Sequence, residues 1–299
     1  MAAKACDYGG AQVTSAQPML IGLPTDKNYV ELAGILIRSI VVNGDVPDAT
    51  IVVCGYGLDA SDHAALAACA TPLAIRFYDL GVAQERLAHA AVNDRWPLAT
   101  WGRVMLPEMV AETEGRLLFL DSDIVVAKSL RPLADLDIEG HTLACVPVDK
   151  DQRFVDELNV NLGRKLGTDY FNVGVMLIDI AAWRRDGITD AALGVARIFG
   201  EKLKFVDQDA LNLVMDGKFY HLDRRWNWYR TAGDYTFASI IHYVYDKPHI
   251  SGSKHPARGL YKAFRSQTIW ANRPLLSPWK KRRAKWARKL AALFVGPLQ

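Results

Sequence analysis

The chain has 299 residues, 50% of them hydrophobic and 23% charged, with a formal net charge of +3. That balance suits one large α/β domain or two small ones around a buried core, and excludes a disordered or low-complexity chain. Four cysteines, Cys6, Cys54, Cys69 and Cys145, lie far apart with no CxxC pair; this argues against a disulfide framework or a cysteine zinc site and fits reduced thiols in a cytosolic setting.

The charge is uneven. Residues 280–299 carry Lys280, Lys281, Arg282, Arg283, Lys285, Arg288 and Lys289 and no acids, which leaves 29 basic against 33 acidic residues, a net −4, in residues 1–279. Residues 1–17 are small and polar, without an apolar core of signal-peptide length, and are expected to be disordered. No run approaches the roughly 20 apolar residues of a membrane span.

From residue 18 onward strands and helices alternate. Met19–Leu23 reads as a strand, followed by Pro24-Thr25-Asp26-Lys27-Asn28-Tyr29 and a helix from about Tyr29 to Val42 with Leu32, Leu36, Ser39 and Ile40 on one face. Thr50–Cys54 is a second strand, Ala60–Ala70 a helix, and Leu73–Tyr78 a third strand. This order predicts a parallel, doubly wound sheet in one domain over residues 18–276. Trp96–Val110 reads as helical, with Pro107 ending or bending it. Arg116–Leu120 and His141–Pro147 are strands, Tyr170–Ile180 is an apolar stretch, Val206–Val214 is a helix, and Ser239–Val244 is a last strand. Asp149–Thr168 is a charged loop or short helix with no clear period and contains Gly163 and Gly167; its place in the chain suits a lid that orders over a bound donor, with a permanently ordered surface loop as the alternative.

The chemistry centres on Arg116-Leu117-Leu118-Phe119-Leu120-Asp121-Ser122-Asp123. A continuous apolar strand stops on two acids one residue apart. Buried parallel strands end at the carboxyl edge of their sheet, where open α/β sheets bind ligands. Two carboxylates held together there repel each other unless a cation joins them. The reading is a divalent metal on Asp121 and Asp123 that holds a diphosphate. Alone, such a pair is also a common turn or helix cap.

Further segments recur in a fixed order: Pro24 to Tyr29; Thr100-Trp101-Gly102-Arg103; Asp121-Ser122-Asp123; Phe171-Asn172-Val173-Gly174 running to Asp179; Trp183-Arg184; Asp207-Gln208-Asp209-Ala210-Leu211-Asn212; and Ile241-His242-Tyr243. Together they resemble the family 8 glycosyltransferases, the group containing glycogenin and bacterial lipopolysaccharide galactosyl- and glucosyltransferases, over about residues 18–250. The resemblance implies a GT-A fold, a UDP-sugar donor (UDP-galactose or UDP-glucose), and transfer with retention of configuration. It implies Asp121, Asp123 and His242 as metal ligands. Asp26, Asn28 and Tyr29 would meet base and ribose, with Pro24, Thr25, Ser122 and Val173 in the same donor contact set. Arg103, Asn172, Gly174, Asp207 and Gln208 would surround the sugar, Gln208, Asp207 and Arg103 being the catalytic group, and Lys247 would meet the diphosphate.

Elementary chemistry agrees with these roles. A metal with a lysine nearby stabilises the charge released onto the leaving diphosphate. Two carboxylates and an imidazole favour Mn²⁺, with Mg²⁺ as the substitute. Gly174 leaves room for a sugar to approach the backbone, and Gln208 is a neutral amide able to polarise a developing cation. Plainer readings compete. His242 on an apolar strand is ordinarily a hydrogen-bonded core residue, Arg103 a surface residue, Asn172 a bulge and Asp207 an N-cap. Tyr29, Trp101 and Trp183 read as core aromatics, while Trp226, Trp228 and Tyr229 read equally as core or as stacking surfaces for an acceptor sugar. The sequence departs from the family at His242-Tyr243-Val244-Tyr245-Asp246-Lys247-Pro248-His249, which lacks the usual glycine before the lysine, is one residue short, and has His249 where a tryptophan is common. That departure touches Lys247 more than His242.

In the tail, Trp279, Trp286, Leu290, Leu293 and Phe294 share one face at the helical period, with cations around them. This is the composition of an interfacial helix, so residues 277–299 are expected to hold an acidic body against an anionic membrane surface through 279–295, on the cytoplasmic face. The acceptor is then a lipid-linked glycan such as lipopolysaccharide, and no nucleic acid is expected. A glycogenin-like enzyme with a protein or soluble glucan acceptor, and a non-catalytic nucleotide-sugar binder, are the alternatives.

Overall fold

The computed structural model describes residues 18–88, 90, 97–148 and 152–277. The expectations for residues 1–17, for 149–151 and for the basic tail from 278 lie outside the described residues.

In chain order the strands are β1 (Leu20–Asp26), β2 (Thr50–Tyr56), β3 (Ala74–Asp79), β4 (Arg116–Leu120), β5 (Ile124–Val126), β6 (Leu143–Pro147), β7 (Phe171–Asp179), β8 (Tyr220–His221) and β9 (Ile240–His242). The α-helices are α1 (Val30–Asn43), α2 (Ala60–Ala70), α3 (Gly102–Met109), α4 (Arg131–Ala134), α5 (Gln152–Asn161), α6 (Ile180–Arg185), α7 (Ile188–Phe199), α8 (Val206–Met215) and α9 (Arg258–Arg265).

A seven-stranded sheet runs β3-β2-β1-β4-β7-β6-β8. It is mostly parallel, as expected, but β7 runs antiparallel to both neighbours, β4 and β6. Chain order alone does not reveal that reversal, because a strand buried on both faces reads as one apolar run in either direction. The expected last strand is also placed elsewhere: β9 pairs antiparallel with β5 in a separate two-stranded sheet, with Ile124 opposite His242.

Each buried strand feeds two cores by alternation. Leu117 and Phe119 of β4 face α3, α7 and α8, while Leu118 and Leu120 face α1 and α2. A third cluster joins α1 and α9 to the small sheet through Ile35, Val125, Ile241, Tyr243 and Phe264. Trp101, Trp183, Trp226 and Trp228 all lie in these cores, and Trp228 also lines a cavity beside Asn227. Cys54, Cys69 and Cys145 are buried free thiols, and burial pushes Cys54 up to about 12. Among the described residues no helix is long and apolar enough to cross a membrane.

The charged stretch before β7 is more ordered than a loop. Its centre is α5, and the turn after α5 is pinned. Arg164, buried, donates to Asn159 Oδ1 (2.8 Å) and to the Asp169 carbonyl (2.9 Å) and lies 3.3 Å from Asp216. Gly163 and Gly167 there have φ of +70° and +78°, conformations that glycine adopts without strain.

Candidate active site

The end of β4 carries the acids to one place. Asp121 N–H donates to the Gly174 carbonyl (2.9 Å), which holds the turn against β7. Ser122 Oγ donates to the Pro24 carbonyl, which ties the turn to the end of β1. Asp123 is buried, and its carbonyl accepts from Tyr243 N–H (2.9 Å) next to His242. One ligand atom from each of Asp121, Asp123 and His242 can be chosen so that all lie within 4.8 Å of one another. His242 Nε2 is 3.3 Å from Asp123 Oδ1 and 3.6 Å from Asp121 Oδ2.

The protonation of this cluster follows from its partners. Burial pushes His242 down to about 4, against the pull of Asp121, so the ring is neutral near pH 7. His242 Nδ1 lies 2.9 Å from Asn227 Oδ1. Asn227 Nδ2 donates to Asn172 Oδ1 (2.8 Å), and that oxygen also accepts from Gly174 N–H (3.0 Å). A backbone N–H is a donor without alternative, so Asn172 presents its oxygen, Asn227 presents its NH₂ there, and Asn227 Oδ1 faces His242. The hydrogen of the neutral ring is therefore on Nδ1, and Nε2 is a bare lone pair aimed at two carboxylates. Acceptor against acceptor at 3.3 Å is repulsive unless a cation enters, so these three side chains fit a divalent metal.

Arg103 is not a surface residue. It is 5% exposed on α3, donates to Asp121 Oδ1 (2.7 Å), and its guanidinium lies 5.6 Å from the Phe119 ring centre. Its Nε is 2.9 Å from Asp207 Oδ2, yet that N–H points to the Thr100 carbonyl (3.1 Å). Asp207 Oδ2 thus has ionic contact but no aligned hydrogen bond, and burial pushes the Asp207 carboxyl up to about 6 despite Arg103.

Gln208 is half-buried on the first turn of α8. Its Oε1 accepts from Asn172 Nδ2 (3.0 Å), and its Nε2 donates to the Tyr170 hydroxyl (3.0 Å), which in turn donates to Asp209 Oδ1 (2.5 Å). Asp209 Oδ2 accepts from Phe205 N–H (2.9 Å). Between them Val206 has φ of +34°, a strained value for a β-branched residue.

The other expected residues are placed as follows. Asn172 does sit at a bulge, where the β6–β7 register shifts between Cys145 and Val146, and it also faces Gln208. Gly174 has a further reason to be glycine: a Cβ there would lie 2.2 Å from His242 Cε1, so the missing side chain makes room for the imidazole. Lys247 reaches the site despite the shortened spacing, with its Nζ on Asp123 Oδ2. Asp26 Oδ1 accepts from Asn28 N–H (2.8 Å) and Tyr29 N–H (3.2 Å), so it also shapes the turn into α1. Tyr29 is half-buried; its hydroxyl is pushed up by burial, then by Asp26 and Asp121, which puts it beside the acids. Pro24, Thr25 and Val173 line the same strand ends. Sequence reasoning missed Asn227, Tyr170 and the hydrogen bonds of Asn212, which clamp Phe171. The available signal was an amide between two buried tryptophans, and an asparagine four residues after Gln208 on one helix face.

A cavity of about 310 Å³ opens beside Asn227, lined by Val146, Pro147, Arg224, Tyr229, Arg230 and Phe237 among others. A larger one, about 640 Å³, lies at the opposite edge of the sheet beside Met19, Gly115 and Arg116 and touches none of the residues above.

The fold is that of a GT-A glycosyltransferase. A galactosyltransferase, LgtC, crystallised with donor and acceptor sugar analogues, superposes with a TM-score of 0.71 at 22% identity, over 84% of this chain and 96% of that one. The bifunctional glycosyltransferase WbbM matches at 0.70 and 21%, over 87% of this chain and 51% of its own. The chain belongs to glycosyl transferase family 8, whose sequence profile matches residues 21–250, and it is a glycosyltransferase. Among its relatives, the lipopolysaccharide 1,3-galactosyltransferase of Salmonella typhimurium is 25% identical over 95% of this chain and 88% of its own length. General stress protein A of Bacillus subtilis is 27% identical over 82% and 92%, and the lipopolysaccharide 1,2-glucosyltransferase of Escherichia coli is 27% identical over 75% and 66%.

Proposed function

We propose that the enzyme moves a hexose, galactose or glucose, from a UDP-sugar to lipopolysaccharide or another lipid-linked saccharide, with retention and with Mn²⁺ as its metal. The observation that carries the metal is the bare His242 Nε2 facing Asp121 and Asp123. Bound there, the ion would neutralise the charge developing on the departing diphosphate. Lys247, already at Asp123, adds a second cation on that side. Arg103 holds Asp121 in place, and Asp26, Asn28 and Tyr29 border the room for base and ribose. Gln208, held at both ends of its amide, meets the sugar as a neutral dipole.

Support for the acceptor comes from relatives named for lipopolysaccharide transfer, from the cavity beside Asn227, and from the basic, apolar-striped residues 279–295, which we read as a membrane contact of a cytoplasmic enzyme whose catalytic domain is residues 18–276. The test is donor hydrolysis and transfer with a panel of UDP-sugars, with and without Mn²⁺. Asp121→Ala and Asp123→Ala are expected to abolish both while the circular dichroism stays native. Full activity of these variants under chelation overturns the reading. Gln208→Ala is expected to lower kcat strongly and to leave donor affinity within a few fold, and a β-linked first product from an α-linked donor overturns retention.

A further inference from the structure

We propose that Asn227 is the positioning residue of this site: it fixes which nitrogen of His242 faces the metal position and, through Asn172, holds the Gln208 amide, so that metal loading and sugar placement share one support. The inference rests on the metal reading above but concerns a residue that reading does not use.

Asn227 is 2% exposed and sits between two core tryptophans. Trp228 next to it is bonded into β9, its N–H to the Ile240 carbonyl (3.0 Å) and its carbonyl to His242 N–H (2.8 Å). The backbone of Asn227 is thus held beside the small sheet, while its side chain reaches across to β7 of the large one. One amide bridges the element that carries His242 and the element that carries Asn172.

The orientation of that amide is over-determined. If it were reversed, its oxygen would face Asn172 Oδ1, an acceptor already fixed by Gly174 N–H. Its NH₂ would then face Nδ1 and force the ring hydrogen onto Nε2, between the two carboxylates. The first effect is repulsive, and the second closes the metal position. The same logic runs the other way. Asn172 Nδ2 must donate, so Gln208 shows its oxygen to Asn172 and its NH₂ to Tyr170. A continuous line of directed hydrogen bonds runs from His242 to Asp209. Imidazole ligands of metals ordinarily have such a partner on the second nitrogen, and its loss typically lowers metal affinity by about 10–100-fold.

Two substitutions separate the halves. In Asn227→Asp the carboxylate still accepts from His242 Nδ1, but it meets Asn172 Oδ1 as acceptor on acceptor. In Asn227→Leu, of similar size, both links are gone. Mn²⁺ alone is titrated into the full-length protein and followed by electron paramagnetic resonance, and kcat and KM for donor hydrolysis are measured separately. Asn227→Leu is expected to bind Mn²⁺ about 10–100-fold more weakly. Asn227→Asp is expected to bind Mn²⁺ at least as tightly as the wild type and yet to lose about tenfold in kcat with KM little changed, which is the scale of one buried hydrogen bond. A purely structural role would move both variants together. If Asn227→Leu does not fold, nitrogen-15 NMR of the metal-free wild type decides: hydrogen on Nδ1 of His242 supports the inference, and hydrogen on Nε2 overturns it. Wild-type Mn²⁺ affinity in Asn227→Leu, or wild-type kcat in Asn227→Asp, also overturns it. Absence of Mn²⁺ binding by the wild type sinks the metal reading along with it, whereas binding by wild type and Asn227→Leu alike sinks this inference alone.

Discussion

Single atoms decide much of this site. The space for a Cβ at position 174 is filled by the His242 ring, so Gly174→Ala is expected to push the imidazole off its line to Asp123. Overpacking of this kind costs about 1–3 kcal/mol of stability, and the larger effect should fall on Mn²⁺ binding, weakened at least about tenfold; unchanged affinity by calorimetry would show that the ring yields freely. Asp207 makes a second prediction. Its carboxyl is held at about 6, above its ordinary 3.8, by burial. The protonated form is therefore favoured by folding. The contribution to stability is fully present below about pH 3.8 and is lost as pH rises through about 6, a loss on the order of 3 kcal/mol. Asp207→Asn escapes that loss. Its denaturation midpoint should gain on the wild type between pH 4 and 7, while transfer falls because Arg103 loses a partner. A difference in midpoint that is constant across this range would mean that Asp207 ionises normally.

At the scale of elements, the segment before β7 is a short helix followed by a fastened turn, which favours the ordered alternative over the lid. Asn159 is fully buried, its Nδ2 donates to the Thr168 carbonyl (2.7 Å), and Arg164 fastens the turn to the C-terminal end of α8. Local opening draws on segments with few buried contacts, and this one is not such a segment. Amide exchange at Arg164 and Thr168 is expected to be slow and the same with or without UDP-sugar and Mn²⁺. Marked slowing on adding ligand would restore the lid. The strained Val206 at the head of α8 is the counterpart. It sits one residue before Asp207-Gln208, and the bonds from Phe205 to Asp209 and from Gln208 N–H to the Phe205 carbonyl (2.8 Å) hold it.

At the scale of the whole molecule, the proposal assigns catalysis to the acidic body and membrane contact to the basic tail. Each basic residue near an anionic surface contributes at most about 1 kcal/mol, so on the proposed reading seven of them and an apolar stripe would hold the enzyme at a membrane. Truncation after Pro278 is expected to give a folded protein that still hydrolyses UDP-sugar but loses activity on acceptor embedded in vesicles. If the truncated protein unfolds, or if the intact one ignores anionic liposomes at low salt, the tail serves the fold and the lipid-acceptor reading loses its main support.

The sequence by itself determined the apolar strand that ends on Asp121 and Asp123, the strand–helix alternation, and the order of motifs that marks the family. Each is a local pattern: burial writes apolar runs, and a site at strand ends writes short polar motifs. It left open whether Arg103 and His242 were surface, core or site, because burial and partners at long sequence separation are not written in a residue's neighbours. Only the tertiary structure turned β7 antiparallel and moved β9 to a second sheet, since hydrogen-bonded strands read alike in either direction. Only it brought Asn227, 15 residues from His242 and 55 from Asn172, to bridge the two. An amide bond of that kind is a fact of three-dimensional placement, fixed in its direction by backbone N–H groups whose positions the whole sheet determines.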